Sequence, residues 1–192
     1  MVDRSIANKS NSEGPLESSA NKLKALVGII MGSDTDYPMM AEAAKTLDKF
    51  GIVYEMEVTS AHRSPGRTHE YSTSAAGRGL KCIIVGAGGA AHLAGVVAAT
   101  TTLPVIGVPL ATTPLNGMDS LLAVVQMPAG IPVATMAIDK AGATNAAILA
   151  AQIIGLSDAG VAKRLAEHKE ELAKGVAQKN ARLQEQLSKS TK

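Results

Sequence analysis

A chain of 192 residues, 46% hydrophobic and 19% charged, is long enough for one full core and too short for two comfortable domains. Its 19 basic and 17 acidic side chains leave a formal charge of +2, which excludes electrostatic capture of nucleic acid or of an anionic membrane as its main business. Aromatic residues, at 2%, provide almost no stacking platforms for single strands, the one cysteine (Cys82) excludes an internal disulfide, and no apolar run approaches the ~18 residues of a membrane span.

Residues 1–24 are rich in Ser, Asn and Lys and read as a disordered tail. They lack the apolar core of a secretory signal, and Asp3, Glu13 and Glu17 are out of place in a mitochondrial transit peptide. With a single thiol, that points to a reducing compartment, the cytoplasm.

Apolar runs of strand length recur at 26–31, 52–58, 80–85, 104–108 and 133–138. Four of them are nearly continuous, as strands buried on both faces must be, whereas 52–58 alternates and belongs nearer an edge. Helical stretches lie between and after them at 36–50, 65–76, 91–101, 118–127 and 141–154. Pro38 and Pro65 suit a first helical turn and Gly51 suits a stop. This alternation predicts an α/β fold, a flavodoxin-like, doubly wound, three-layer parallel sheet over residues 25–156. From 157 onward the chain is charged, and Val161, Leu165, Leu172, Val176, Leu183 and Leu187 draw one apolar stripe along a long C-terminal helix. A helix of ~30 residues is ~45 Å long and overshoots a core of this size. The segment 157–192 is therefore expected to pack on a neighbouring subunit, with a frayed end at the last few residues. The competing reading folds it back on its own domain or frays it beyond Gly175.

In open α/β sheets, ligands bind beyond the carboxyl ends of the strands, where strand order reverses. Three segments fall there. Gly32-Ser33-Asp34-Thr35-Asp36 offers hydroxyls and N–H groups that open a helix, an anion site by helix-terminus physics. Asp36 either caps that helix or accepts from sugar hydroxyls, and the two are compatible. Ser60-Ala61-His62-Arg63 sets a group that titrates near neutrality beside one that holds anions bidentately; alone, the pair would also suit a solvated turn. Gly86-Ala87-Gly88-Gly89-Ala90-Ala91-His92-Leu93 satisfies a bare dinucleotide pattern. It follows the third strand, and the acid that should lie ~20 residues on is missing, so it reads as a backbone nest. His92 is either a second site histidine or a helix-terminus residue. His69 and His168 lack a partner at metal-ligand spacing and read as solvated; no P-loop and no nucleophile elbow is present. A receiver-like phosphorylation site would place Asp where Gly86 stands, and flavin would require aromatics beside the crevice.

These three segments resemble the N5-carboxyaminoimidazole ribonucleotide mutase family of purine biosynthesis. So do Gly107-Val108-Pro109, Gly117-Met118-Asp119-Ser120-Leu121, Gln126-Met127-Pro128-Ala129-Gly130-Ile131-Pro132 and Ala141-Gly142-Ala143-Thr144-Asn145-Ala146-Ala147. The resemblance spans residues ~26–156 and is specific in combination and order. It implies an octamer of flavodoxin-like subunits and an isomerase that moves a carboxylate from the exocyclic nitrogen of an aminoimidazole ribonucleotide to a ring carbon. It implies no metal, ATP or biotin. It makes His62 the proton-transfer residue with His92 close by, and Ser33, Asp36 and Arg63 the ribonucleotide contacts. Thr35 keeps the hydroxyl of a family position that is often Ser. Ser60, Ala61, Ala87, Gly88 and Leu93 line the site. Other departures are Ser64 where Thr is usual, Ala94 where Pro is common and Ala134 where Gly is common. Carbon dioxide released in such a reaction must be retained, which asks for a closed, dry pocket with small walls. The alternatives are a carboxylase that uses carbon dioxide directly and a non-catalytic phospho-ligand module on the same fold. The Gln126–Pro132 segment resembles the mutase branch.

Overall fold

The computed structural model describes residues 24–190. The tail expected at 1–24 therefore lies, but for Lys24, outside the described residues, as do the last two residues of the expected frayed end. The elements run β1 (Val27–Met31), α1 (Tyr37–Lys49), β2 (Tyr54–Val58), α2 (Pro65–Arg78), β3 (Cys82–Gly88), α3 (Leu93–Ala98), β4 (Val105–Leu110), α4 (Met118–Val125), β5 (Ala134–Thr135), α5 (Asp139–Gly155) and α6 (Ala159–Ser190). All pairings are parallel, in the order β2-β1-β3-β4-β5, the flavodoxin-like arrangement with its reversal between β1 and β3.

The sheet divides the core in two. On one face Val27, Ile29 and Met31 of β1 pack with Met40, Ala43 and Leu47 of α1 and with Ala143, Ala147 and Ala150 of α5. On the other, Ile30, Ile83 and Val85 meet Tyr71 and Ala75 of α2, Leu93 and Val97 of α3 and Val124 of α4. Alanines along α5 let that helix lie close on both the sheet and α1. α1 stops where Gly51 takes a left-handed φ of 62°, with its N–H donating to Asp48 O at 2.9 Å. Arg78 donates to Glu55 at 2.6 Å and Arg67 to Glu57 at 3.0 Å, tying α2 to the edge strand β2.

Three expectations need correction. The strand expected at 133–138 shrinks to Ala134–Thr135, exposed and half-buried, because it meets β4 at only two positions, Ile106 and Gly107. β3 runs on to Gly88 and β4 to Leu110, since Gly86, Ala87 and Gly88 pair with Val108, Pro109 and Leu110. The first helix begins with a separate 3-10 turn over Asp34–Asp36. α6 is one continuous helix of 32 residues. Val161 is buried and Leu165 packs at the edge of the α1–α5 core, while Arg164 Nε donates to Phe50 O at 2.7 Å. Further along, Leu172, Val176 and Leu183 are exposed at 53%, 66% and 50%. His168, read from sequence as solvated, lies edge-on to Phe50 with ring centroids 5.5 Å apart.

Candidate active site

The loop after β1 is built by short-range hydrogen bonds. Ser33 N–H donates to Asp36 Oδ2 at 3.0 Å, and Thr35 N–H to Ser33 Oγ at 3.3 Å, a reciprocal cap on the 3-10 turn. Thr35 Oγ1 donates to Ser33 Oγ at 2.9 Å, which in turn donates to Asp34 Oδ1 at 3.1 Å. Asp36 is buried, at 5% exposure. Desolvation raises its carboxyl above the ordinary value near 3.8, against the opposing pull of the Ser33 and Gly32 N–H groups and the Arg63 charge. The capping role considered for Asp36 is thus present.

The loop after β2 is also self-supporting. Arg63 N–H donates to Ser60 Oγ at 3.2 Å and Ser60 N–H to Ser64 Oγ at 2.9 Å. Arg63 Nη2 reaches across to donate to Gly32 O at 3.1 Å, fastening this loop to the first. Ala61 is half-buried, and His62 and Arg63 are exposed. Proline at the start of α2 and the buried Thr59–Thr68 hydroxyl pair, 2.7 Å apart, fix where the loop ends.

Ala87 and Gly88 close β3 rather than a loop. Gly89 then turns the chain with φ of 59°, and His92 caps α3 ahead of buried Leu93. His92 Nδ1 lies 2.7 Å from His62 Nε2, the rings edge to face with centroids 4.9 Å apart. Only one of two nitrogens that close can carry the intervening proton, so each ring's tautomer dictates the other's. His92 therefore occupies both positions considered for it.

These loops enclose a cleft of about 290 Å³. It brings together every residue singled out from sequence: Ser33, Thr35, Asp36, Ser60, Ala61, His62, Arg63, Ala87, Gly88, His92 and Leu93. Gly32, Ala90 and Thr112 join them in the lining. Thr112 was missed because only three strand ends were weighed; the rule that points to them applies equally to β4. One end of the cleft is suited to an anion, with the Arg63 guanidinium and the hydroxyls of Ser33 and Thr35. The other pairs two imidazoles with walls of alanine and glycine, an arrangement that can exchange a proton beside a planar, uncharged group.

The family model described as AIR carboxylase matches residues 26–175. The N5-carboxyaminoimidazole ribonucleotide mutase of Bacillus subtilis is 53% identical over 161 residues, 84% of this chain and 99% of that protein. The mutase of the same description from Pseudomonas aeruginosa is 59% identical over 133 residues, 69% of this chain and 82% of that protein. A phosphoribosylaminoimidazole carboxylase of Candida albicans is 57% identical over 146 residues, which are 76% of this chain and 25% of that longer protein. Among solved structures, Treponema denticola PurE superposes with a TM-score of 0.74 at 28% identity, covering 83% of this chain and 98% of that one. A family match across nearly all of the folded core, and relatives more than half identical along most of it, agree with the strand-end loops in sequence and in place: this chain belongs to the AIR carboxylase family.

Proposed function

We propose that this protein is an N5-carboxyaminoimidazole ribonucleotide mutase, converting the N-carboxylated substrate to 4-carboxyaminoimidazole ribonucleotide. The observation that carries the reading is the His62–His92 pair at 2.7 Å, set in one cleft with Arg63, Ser33 and Asp36. The names borne by relatives such as that of Bacillus subtilis support it.

In this reading Ser33, Thr35 and Arg63 hold the phosphate and Asp36 accepts from the ribose hydroxyls. The aminoimidazole then lies against Ala61, Ala87, Gly88 and Leu93, with Ser60 holding the Arg63 backbone. The N–C bond to the carboxylate breaks as the exocyclic nitrogen takes a proton from His62, releasing carbon dioxide into the cleft. The ring carbon attacks that carbon dioxide, forming the C–C bond. The same carbon then returns its proton to His62, so the cycle closes without net gain or loss of protons. A single imidazole serves as acid and then base because giving its proton to nitrogen leaves it neutral and able to accept the proton from carbon. Binding the phosphate and ribose supplies the positioning, and the small apolar walls limit escape of carbon dioxide.

The proposal includes a cytoplasmic, homo-oligomeric enzyme, an octamer on the family resemblance, needing no metal, ATP or biotin. No helix among the described residues is long and apolar enough to cross a membrane. Exposed Leu172, Val176 and Leu183 on α6, and Leu115, Met118 and Leu122 at α4, support assembly. The test supplies purified protein with the carbamate substrate and, separately, with aminoimidazole ribonucleotide and bicarbonate, each with and without a chelator. Fast, chelator-insensitive consumption of the carbamate is expected. Turnover from aminoimidazole ribonucleotide and carbon dioxide alone would favour the carboxylase reading, which the Candida albicans relative keeps in play. Loss of activity to a chelator, restored by one divalent ion, would overturn the metal-free mechanism.

A further inference from the structure

Four strand ends, not three, reach the cleft, and the fourth delivers a residue whose neighbours are both tied down. After β4, Ala111 N–H donates to Asp139 Oδ1 at 2.9 Å, with Asp139 itself held at a left-handed φ of 58°. Two residues on, Thr113 Oγ1 donates to Asp119 Oδ2 at 2.6 Å. Thr112 stands between these anchors, its N–H donating to Leu110 O at 3.1 Å. Its side chain lines the cleft, and its hydroxyl makes no hydrogen bond to the described residues. The other hydroxyls of the lining, those of Ser33, Thr35 and Ser60, each bond within their own loop. Thr112 sits directly on Gly88: a Cβ built there would collide with Thr112 Oγ1 and lie 2.9 Å from its Cβ and Cγ2. Glycine at 88 therefore does more than open the wall; it lets this hydroxyl down onto the floor of the cleft.

Position along the sheet tells which part of a ligand it meets. Ser33, and Arg63 through Gly32 O, mark the anion-binding end at β1. Thr112 follows β4, two strands away across β3, or ~10 Å at the usual strand spacing. A ribonucleotide with its phosphate at β1 places its sugar between and its base toward β3 and β4. There the walls are alanine and glycine, and the polar side chains are the two histidines and Thr112.

We infer that Thr112 is a further substrate-contacting residue, whose hydroxyl donates to an oxygen of the migrating carboxyl group and holds that group while it is carbon dioxide. The inference rests on the mutase reading. A hydroxyl suits the task because it binds carboxylate oxygens before and after transfer and, unlike a lysine, does not compete with the ring carbon as a carbon dioxide acceptor at neutral pH.

The experiment compares wild type with Thr112→Val, which keeps the shape, and Thr112→Ser, which keeps the hydroxyl. The carbamate substrate is supplied, and both the carboxylated product and any released aminoimidazole ribonucleotide are quantified. For Thr112→Val we expect kcat/KM to fall about tenfold or more and the released fraction to rise several-fold, with Thr112→Ser close to wild type. A merely structural role would not raise leakage. Wild-type rates and partition in Thr112→Val, or a Thr112→Ser variant as impaired as Thr112→Val, would overturn the inference. A wild-type protein that leaves the carbamate untouched would instead overturn the mutase reading.

Discussion

His62 and Arg63 are adjacent in sequence and both line the cleft, and the proposed function gives them different roles that substitution can separate. His62→Asn keeps a hydrogen-bonding side chain and loses the titrating nitrogen. Turnover is expected to fall by roughly two or more orders of magnitude with little change in ribonucleotide affinity. Arg63→Ala should show the reverse, weakened binding as the main defect. Calorimetric affinity measured beside steady-state turnover, with His92→Asn in parallel, tests this. Near-normal turnover in His62→Asn and collapse in His92→Asn would move the proton role to His92. Asp36 carries a pH signature. Its folded-state carboxyl is raised above the ordinary value near 3.8, chiefly by desolvation. A raised carboxyl favours the fold fully below the unfolded value, and that advantage is lost as pH rises through the folded value. At neutral pH the ionised group is thus a net cost. Asp36→Asn should therefore melt higher than wild type at pH 7 and bind the ribonucleotide more weakly. The stability gain should shrink as the buffer approaches about pH 4. A variant that melts at or below wild type at pH 7 would contradict it.

Element boundaries depend on neighbours. Hydropathy ended the third strand at Val85 because Gly86, Ala87 and Gly88 carry little apolar bulk; pairing with Val108, Pro109 and Leu110 continues it. The opposite happened at 133–138, where apolar residues suggested a buried strand but β4 offers only two partners. The chain then turns tightly into α5, and Gly142 records how tightly. A Cβ there would collide with the Ala137 carbonyl oxygen and lie 2.7 Å from its carbon, backbone that cannot rotate aside. Gly142→Ala should cost about 2–3 kcal/mol and lower the urea midpoint. Gly175 in α6 has nothing within 4 Å of a built Cβ, so Gly175→Ala should be neutral or stabilising by up to ~1 kcal/mol. Equal midpoints for the two variants would refute the argument.

For the whole molecule, α6 is the element that one chain leaves incompletely used. Its first turns are secured by Val161, by Arg164 donating to Phe50 O and by Lys49 paired with Glu171 at 2.8 Å. Leu172, Val176 and Leu183 lie beyond these contacts. Replacing all three by Gln should lower the assembly mass measured by light scattering while leaving the circular dichroism and the subunit core intact, since each is at least half exposed. An unchanged mass would show that assembly does not use this stripe.

The sequence alone determined the order of strands and helices, the edge placement of β2 and the three strand-end loops, two of which carry His62, Arg63 and His92. Hydrophobic periodicity, proline and glycine are local signals, and strand-end chemistry can be placed once a parallel sheet is inferred. The family resemblance then fixed which chemistry to expect, something periodicity does not encode. Tertiary structure alone decided that His62 and His92 lie 2.7 Å apart though thirty residues separate them, and that Arg63 bonds to Gly32 O. It also brought Thr112 onto Gly88. Each of these depends on which strand ends the sheet order β2-β1-β3-β4 sets side by side, and the last also on the close approach that a missing Cβ permits.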